Sequence, residues 1–257
     1  MNNILAQIIT DKQKEVSAIP KQTGNNVPVY PIRDFFSVLK KGSAPRIISE
    51  VKKASPSKGV IRHDFDPVAI AREFEANRAA AISVLTDEKY FQGKLEYLTA
   101  IKQAVSIPVL RKDFIISKAQ IFQSYQAGAD AILLIVKALL YISDNRADRA
   151  LLILSHFQEI ARDLGMHCLV EVHNATELKI AVTSGARIIG VNNRDLDTFE
   201  VDINKTYELA QLLPTGWQTN NCLVSESGMF SKEDIPVCAD AVLIGEGLAK
   251  NPGSFWG

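Results

Sequence analysis

The sequence predicts an α/β fold in which eight parallel strands and their helices close into a single (β/α)8 barrel. From residue 46 onward, eight short, apolar, β-rich runs alternate with stretches of helical period. Several of these runs are nearly continuous Val, Ile and Leu, which is typical of strands covered on both faces. Eight such units close a sheet into a TIM barrel, and one barrel of this kind fills a chain of 257 residues.

The predicted strands and helices follow each other without a break. The strands are Arg46–Glu50, Ala81–Leu85, Pro108–Arg111, Ala131–Val136, Cys168–Val172, Arg187–Val191, Cys222–Ser225 and Ala241–Ile244. The helices start near Asp66, Gly93, Ser117, Asp144, Ala175, Asp202 and Ser231. A doubly wound open sheet is the alternative, but it needs only about five or six strands, and no G-x-G-x-x-G motif follows the first strand.

The residues before the first strand predict a helical extension. An apolar face at helical spacing is formed by Ile4, Leu5, Ile8 and Ile9. Prolines and glycine make residues 20–31 irregular, and a second short helix is predicted over Asp34–Lys40 with Asp34 as its cap. We therefore expect one domain over residues 1–257, made of the extension 1–45 and the barrel 46–257.

Composition and charge exclude several classes of function. The 29 Lys and Arg balance 29 Asp and Glu, and this zero net charge argues against a binder of nucleic acids or anionic membranes, because such proteins need a concentrated basic surface. No apolar run approaches the ~18 residues of a membrane span. Charged residues at 11–15 interrupt the apolar core of a signal peptide, and the three cysteines cannot all pair within the chain. We expect a reduced, cytoplasmic protein with no nucleic-acid or membrane partner.

Polar side chains gather where five predicted strands end, and barrels of this kind carry their active sites at these ends. The first strand ends in Glu50-Val51-Lys52, and strand alternation turns Glu50 and Lys52 inward if Val51 faces the helices. The other ends carry Lys112 with Phe114, Glu171, Asn192 with Arg194, and Ser225-Glu226-Ser227-Gly228. A solvated rim or a structural ion pair is the alternative at any one position. Converging charges carry a desolvation cost, however, and such clusters mark sites with tuned pKa values.

The ends of the last two strands predict a phosphate site. Ser227-Gly228 and Gly245-Glu246-Gly247 place backbone without bulky side chains at the mouth. In this fold the loops after strands seven and eight recurrently cradle a phosphate. Ordinary turns at β/α junctions are the alternative for either motif alone.

Two other kinds of site are not indicated. The histidines lack the paired spacing of metal ligands: His63, His156, His167 and His173. No Ser-His-Asp arrangement is evident either. We therefore expect no bound metal.

Seven specific motifs lie in order along the chain. They are Glu50-Val-Lys-Lys-Ala-Ser-Pro-Ser57, Leu85-Thr-Asp-Glu-Lys-Tyr-Phe-Gln-Gly93, Leu110-Arg-Lys-Asp-Phe-Ile115, Leu169-Val-Glu-Val-His173, Gly190-Val-Asn-Asn-Arg-Asp-Leu196, Ser225-Glu-Ser-Gly228 and Leu243-Ile-Gly-Glu246. With them the chain resembles the indole-3-glycerol-phosphate synthase family of tryptophan biosynthesis, from the N-terminal helix to about residue 250. The resemblance implies a ribulose-phosphate-binding barrel whose N-terminal extension helps to cover the substrate.

The resemblance also implies a reaction that needs no cofactor. The substrate would be 1-(2-carboxyphenylamino)-1-deoxyribulose 5-phosphate, a small phosphosugar, and the products would be indole-3-glycerol phosphate, carbon dioxide and water. Carried over to this chain, Lys112 would be the general acid of ring closure, suited to that role if burial or nearby cations lower its pKa. Glu171 would steady charge on the anilino nitrogen or accept its proton. Glu50 and Lys52 would act in the dehydration.

The other carried-over residues would hold the substrate. Asn192 and Ser227 would complete the catalytic set by holding sugar hydroxyls or the reacting oxygen, and Arg194 with Ser55 would orient Glu50 or the substrate carboxylate. The residues implied to contact the anthranilate ring and its surroundings are Phe91, Phe114 and Leu133. The residues implied to bind the phosphate are Lys52, Gly228, Gly245 and Glu246.

Three segments depart from the family pattern. Residues 137–165 are longer than expected, with Ala138–Ser143 as an inserted turn or an extra helical turn, and residues 228–239 leave little room for a seventh helix. The end at Gly257 predicts a shortened last helix. Two alternatives therefore stay open: a phosphoribosylanthranilate isomerase of the same pathway, and a barrel that binds a phosphorylated ligand without turnover. We expect a monomer, and the sequence indicates no particular partner enzyme.

Overall fold

The computed structural model of the chain describes residues 4–20, 30–40, 45–250 and 252–256. Over these residues eight parallel strands form a closed barrel, in which consecutive strands pair and β1 also pairs with β8. They are β1 (Arg46–Val51), β2 (Ala81–Leu85), β3 (Val109–Lys112), β4 (Ala131–Ile135), β5 (His167–Val172), β6 (Ile188–Asn192), β7 (Cys222–Glu226) and β8 (Ala241–Ile244). The closed sheet confirms the predicted fold class and excludes the open sheet. Every predicted strand end lies within one residue of the observed one.

Helices cover the outside of the barrel and precede it. They are α1 (Ile4–Ser17), α2 (Phe35–Lys40), α3 (Pro67–Ala76), α4 (Glu88–Phe91), α5 (Leu95–Ala104), α6 (Lys118–Ala127), α7 (Val136–Ile142), α8 (Ala147–Asp163), α9 (Ala175–Thr183), α10 (Asn204–Ala210), α11 (Trp217–Asn220) and α12 (Glu246–Lys250). Both predicted helices of the extension are confirmed, and the Asp34 carboxylate accepts a hydrogen bond from the Ser37 backbone N–H at 2.9 Å. Most of the segment predicted to be irregular, residues 21–29, lies outside the described residues.

Strand alternation separates two apolar layers. Outward residues such as Val51 and Val84 pack against the surrounding helices, whereas inward residues such as Ile48 and Leu110 fill the barrel and contact the extension. Because Val51 faces the helices, Glu50 and Lys52 reach the mouth, as predicted. The barrel therefore has an apolar interior that ends in a polar mouth.

Four segments differ from regular β/α units. Most of Ala138–Ser143 belongs to α7, which begins at Val136 directly after β4, so the observed strand ends one residue before the predicted one. The seventh unit has only a short 3-10 helix, Lys232–Asp234, and α12 is five residues long, as the short segments predicted. A hairpin of Ala54–Ser55 and Gly59–Val60 follows β1. Its strands are two residues long, too short to show a periodic pattern in the sequence.

Helix α1 is fixed over the mouth by a buried ion-pair cluster. Lys12 Nζ lies 2.9 Å from Asp87 Oδ2 and 2.9 Å from Asp113 Oδ1, in the segments that follow β2 and β3. The side chain of Lys12 is 1% exposed, and burial opposes its charge, but Asp113 and Asp87 outweigh burial and hold its pKa above the usual value. The extension is therefore an integral part of the mouth.

The three cysteines, Cys168, Cys222 and Cys238, are free thiols. In the part of the chain that the structure describes, no helix has the length and apolar character needed to cross a membrane.

Candidate active site

One cleft at the C-terminal ends of the strands brings together all the residues that the sequence assigned to the site. Its lining contains the predicted catalytic residues Glu50, Lys52, Lys112, Glu171, Asn192 and Ser227. It also contains the predicted substrate-binding residues Ser55, Phe91, Phe114, Leu133 and Arg194, and the predicted phosphate-binding residues Gly228, Gly245 and Glu246. A closed barrel brings the C-terminal ends of all its strands to one mouth, so residues far apart in the sequence meet there. The predicted residues therefore share one concave site in space.

Lys112 lies at the centre of the charges in this cleft. Its Nζ is 3.3 Å from Glu171 Oε2 and 3.1 Å from Glu226 Oε2. Burial alone would lower the pKa of Lys112, but Glu226, Glu171 and Glu50 outweigh burial and raise the pKa above its usual value. The condition that burial or nearby cations lower the pKa of Lys112 is therefore not met, because the surrounding carboxylates keep this lysine a cation.

Glu50 and Lys52 form a second ion pair at the mouth. Glu50 Oε1 and Lys52 Nζ are 2.5 Å apart, as their shared inward face on β1 predicted. Gly245, just after β8, lies against this pair. A Cβ at Gly245 would collide with the Glu50 carboxylate and crowd Lys52 Nζ. The glycine is needed here for the close approach of the two side chains to the backbone.

Asn192 and Ser227 join the turns after β6 and β7. The Ser227 hydroxyl donates a hydrogen bond to Asn192 Oδ1 at 2.8 Å, and the Arg194 backbone N–H donates to the same oxygen at 3.0 Å. Ser227 has a φ of 68°, in the left-handed region that non-glycine residues rarely adopt. This conformation is energetically unfavourable, and it places the Ser227 hydroxyl at the mouth. Backbone strain of this kind is typical of functional sites.

Glu246 gathers cations at one end of the cleft. Its carboxylate contacts Lys58 from the hairpin, Lys250 Nζ at 2.9 Å and Arg194 Nη2 at 3.4 Å. Arg194 therefore pairs with Glu246 rather than with Glu50, and the alternative role predicted for it, orienting the substrate carboxylate, stays a prediction. Three cations around one carboxylate give this end of the cleft a positive balance, as an anionic group would require.

An apolar wall faces the charges. The ring centroids of Phe91 and Phe114 are 6.4 Å apart, with planes inclined at 38°. Leu133 belongs to the same apolar cluster, and Leu5 and Ile8 of α1 complete the wall. A flat apolar surface beside a cluster of charges suits a substrate that carries an aromatic ring at one end and polar groups at the other.

Comparisons with known proteins agree along nearly the whole chain. The family model of indole-3-glycerol phosphate synthase matches residues 5–254. The indole-3-glycerol phosphate synthase of Acetivibrio thermocellus is 46% identical over 254 residues, which cover 96% of this chain and 92% of that protein. The chain belongs to the indole-3-glycerol phosphate synthase family.

Two further relatives match the chain with similar coverage. The indole-3-glycerol phosphate synthase of Chloroherpeton thalassium is 46% identical over 260 residues, covering 95% of this chain and 94% of that protein. That of Roseiflexus castenholzii is 45% identical over 264 residues, covering 98% and 94%. The resemblance to the indole-3-glycerol phosphate synthase family drawn from the seven motifs is thus confirmed.

Glu226 also lines this cleft, and the sequence prediction missed it. Strand alternation turns Ser225 outward, where its hydroxyl accepts a hydrogen bond from Asn193 Nδ2 at 3.0 Å, and turns Glu226 inward. Strict alternation from Ser227, which the sequence assigned to the mouth, would turn Glu226 away. The left-handed backbone at Ser227 breaks the alternation, so Glu226 and Ser227 both reach the cleft. Alternation of side chains, counted from the middle of β7 toward its C-terminal end, was the signal that could have predicted Glu226.

Glu226 differs sharply from Glu171 in its surroundings. Burial raises the pKa of Glu226 to about 7, with Lys112 opposing and Glu171 reinforcing that rise. A Cβ at Gly190 on the neighbouring β6 would collide with Glu226 Oε1, so the glycine admits the carboxylate. Among the described residues of this family member, no cluster of three or more His, Cys, Asp or Glu side chains could hold a metal ion.

Proposed function

We propose that this cleft catalyses ring closure, decarboxylation and dehydration of 1-(2-carboxyphenylamino)-1-deoxyribulose 5-phosphate. The products are indole-3-glycerol phosphate, carbon dioxide and water. Membership of the indole-3-glycerol phosphate synthase family makes the chain a carboxy-lyase of tryptophan biosynthesis that acts on a small phosphosugar. The observation that carries the proposal is Lys112, a cation held between two glutamates in a cleft with an aromatic wall.

Ring closure is the step that this lysine serves. The ring carbon that bears the carboxylate attacks the sugar ketone carbon, and the electron pair of the C=O bond moves to oxygen. Lys112 donates a proton to that oxygen as the charge develops. A lysine with a raised pKa is a weak acid for a ground-state ketone, but it stabilises the developing alkoxide electrostatically and releases its proton once the oxygen is basic. Glu226, which holds a proton near neutral pH, stands 3.1 Å away to replace it.

Decarboxylation follows from the loss of aromaticity in the closure. The C–C bond to the carboxylate breaks, its electron pair returns to the ring, and carbon dioxide leaves. Glu171 faces Lys112 and is held as an anion, because Lys112 and His173 outweigh burial and lower its pKa. An anion at this position steadies the positive charge that the anilino nitrogen carries before carbon dioxide leaves.

Dehydration completes the reaction at the other ion pair. The new hydroxyl must leave as water, and the adjacent carbon must lose a proton, which forms the double bond of the indole. Glu50 and Lys52 offer a base and an acid 2.5 Å apart for this step. Asn192 and Ser227, joined by a hydrogen bond, hold the sugar oxygens.

Substrate binding spans the rest of the cleft. Phe91, Phe114 and Leu133 take the anthranilate ring. Backbone N–H groups of Gly228, Gly245 and Glu246, together with Lys52, take the phosphate. The cations around Glu246 support this end of the proposal, and Ser55 lies in the lining beside Lys52. The single domain over residues 1–257, the monomeric state and the cytoplasmic location stay predictions.

The test is the full chain with substrate labelled with ¹³C at the carboxylate. We expect indole absorbance and labelled carbon dioxide to appear together in equal amounts. A parallel incubation with N-(5-phosphoribosyl)anthranilate tests the isomerase alternative, and its conversion without carbon dioxide release would overturn the proposal. Tight binding of the labelled substrate with no product would instead indicate a barrel that binds without turnover.

A further inference from the structure

His173 lies between two buried carboxylates directly behind the charged mouth. It follows β5 by one residue, its side chain is 4% exposed, and its Nδ1 lies 2.9 Å from Glu177 Oε2 on α9. Its Nε2 lies 3.3 Å from Glu171 Oε1, an ion-pair contact, and makes no hydrogen bond among the described residues. Glu171 in turn contacts Lys112 through its other oxygen. The four residues form a chain of alternating charge from α9 to the centre of the cleft.

The two carboxylates require a protonated imidazole. An ionised carboxylate only accepts hydrogen bonds, and a neutral imidazole has a single N–H, so a neutral ring would turn a lone pair toward one of the carboxylates. Burial would lower the pKa of His173, but contacts with Glu171 and Glu177 outweigh burial and raise it to about 9. The two strands next to β5 place no further charged side chain beside Glu171. Its register partners are Ile135 on β4 and Gly190 on β6.

His173 gives the two glutamates that flank Lys112 different numbers of neighbouring cations. Both lie about equally far from Lys112 Nζ, at 3.3 Å for Glu171 and 3.1 Å for Glu226. Glu171 has His173 as a second cation and Asn192 as a further hydrogen-bond partner. Glu226 Oε1 is buried against Gly190 without a hydrogen-bond partner among the described residues. Two otherwise similar carboxylates therefore differ in the number of cations that each contacts.

We propose that His173 is a positioning residue that keeps Glu171 the anion of this pair and thereby leaves Glu226 as the glutamate that exchanges a proton. This rests on the proposed function only for the consequence in turnover, since the assignment of the proton is a property of the protein itself. Glu177 supports His173 by fixing its ring. The Glu177 carboxylate accepts from the His173 backbone N–H at 2.8 Å as well as from Nδ1.

The first test measures the protonation state of Glu171 and Glu226 in the absence of substrate. Side-chain ¹³C resonances of glutamates report ionisation, and Glu171→Gln and Glu226→Gln variants assign the two signals. In the wild-type protein we expect Glu226 to titrate near pH 7 and Glu171 to stay ionised well below it. In His173→Gln, where an amide replaces the cation, we expect the pKa of Glu171 to rise by about 1–3 and that of Glu226 to fall. Unchanged titration of both carboxyls would overturn the proposal.

The second test measures turnover against pH. We expect His173→Gln to lower kcat about tenfold with little change in KM, and to displace the pH profile of kcat in step with the carboxyl titrations. His156→Gln is the matched control, because His156 lies on the exposed surface of α8 and its substitution should change neither reading. A uniform loss of kcat with an unmoved pH profile would show a structural role only and would refute the assignment.

Folding and function are separated by a further variant. Glu177 keeps donors from Asn174 Nδ2 at 2.7 Å and from the His173 backbone when the imidazole is removed, so His173→Gln leaves no carboxylate without a partner. Glu177→Gln keeps the His173 side chain but removes one anion, and we expect a smaller shift in the same direction. If the wild-type protein lacks the proposed activity, the carboxyl titrations still decide the role of His173.

Discussion

Lys12 on helix α1 lies 2.9 Å from Asp113 at the end of β3, with both side chains buried. The ion pair ties helix α1 to the end of β3, where Lys112 directly precedes Asp113. Arg111 Nη2 binds the other oxygen of Asp113 at 3.0 Å, and Thr86 donates to that oxygen at 2.6 Å. Breaking a buried pair by removing one partner leaves the other charge uncompensated. The first predictions follow from this contact.

Replacing Lys12 should loosen the extension. We expect Lys12→Met to lower the free energy of unfolding by about 3 kcal/mol, because Asp87 and Asp113 lose a shared cation. We also expect KM for the substrate to rise, since Ile4, Leu5 and Ile8 of α1 line the cleft. Urea unfolding and steady-state kinetics measure the two effects. Lys14→Met is the control, because Lys14 is exposed and pairs only with Asp11 among the described residues. Equal effects of the two substitutions would show that the buried contacts of Lys12 do not hold α1 on the barrel.

Acid should weaken the fold through Asp113. Burial alone would raise the pKa of Asp113, but Arg111 and Lys12 outweigh it and hold the pKa at about 2. An unfolded aspartate has a pKa of about 3.9, so this contribution to stability is complete above about pH 4 and is lost as the pH falls toward 2. In Asp113→Asn we expect lower stability at neutral pH and a flatter decline between pH 4 and 2. Asp163→Asn, at the exposed end of α8, should keep the wild-type slope.

Removing Lys112 should stop ring closure. We expect Lys112→Ala to lower turnover at least ~100-fold, as is typical when a positioned acid is lost, while the substrate still binds. Single-turnover absorbance and a fluorescence titration of the anthranilate group separate the two quantities. Lys118→Ala, on the exposed first turn of α6, is the matched control. Near-normal turnover in Lys112→Ala would remove Lys112 from the mechanism.

Glu50→Gln should separate dehydration from the earlier steps. Lys112 and the Glu50–Lys52 pair lie on different strands, so a neutral amide at Glu50 should leave closure and decarboxylation running. We expect an intermediate that has lost carbon dioxide but kept its hydroxyl, detected by rapid-quench mass spectrometry. Glu96→Gln, an exposed substitution on α5, should show no such species. Finding only unreacted substrate in Glu50→Gln would place Glu50 before carbon dioxide loss.

The phosphate should contribute to the efficiency of the distant chemistry. Hydrogen bonds to charged groups contribute about 1.5–3 kcal/mol each, so losing two at the Gly228 and Gly245 end should lower kcat/KM at least ~100-fold. The comparison is between the substrate and its dephosphorylated analogue, each with the wild-type protein. Inorganic phosphate at millimolar concentration should compete with the substrate. Equal kcat/KM for the two compounds would show that this end of the cleft binds something else.

The sequence by itself determined the barrel and the orientation of most of its site. Period-two alternation is a local property of a strand, so the pattern of residues alone sets Val51 against the helices and Glu50 with Lys52 at the mouth. The strand bounds followed from apolar runs interrupted by polar ends. The absence of a full seventh helix followed from the length of one segment.

Only the tertiary structure decided how the charges act on each other. Burial lowers the pKa of Lys112, whereas three carboxylates, from β1, β5 and β7, raise it. Which effect is larger depends on the distances between the strands, and these are a property of the folded barrel. Ser227 reaches the mouth beside Glu226 because its left-handed backbone interrupts the alternation just after β7. The contact of Lys12 with Asp113 pairs two side chains that are brought together by the way helix α1 packs on the barrel, and no local periodicity in the sequence records that placement.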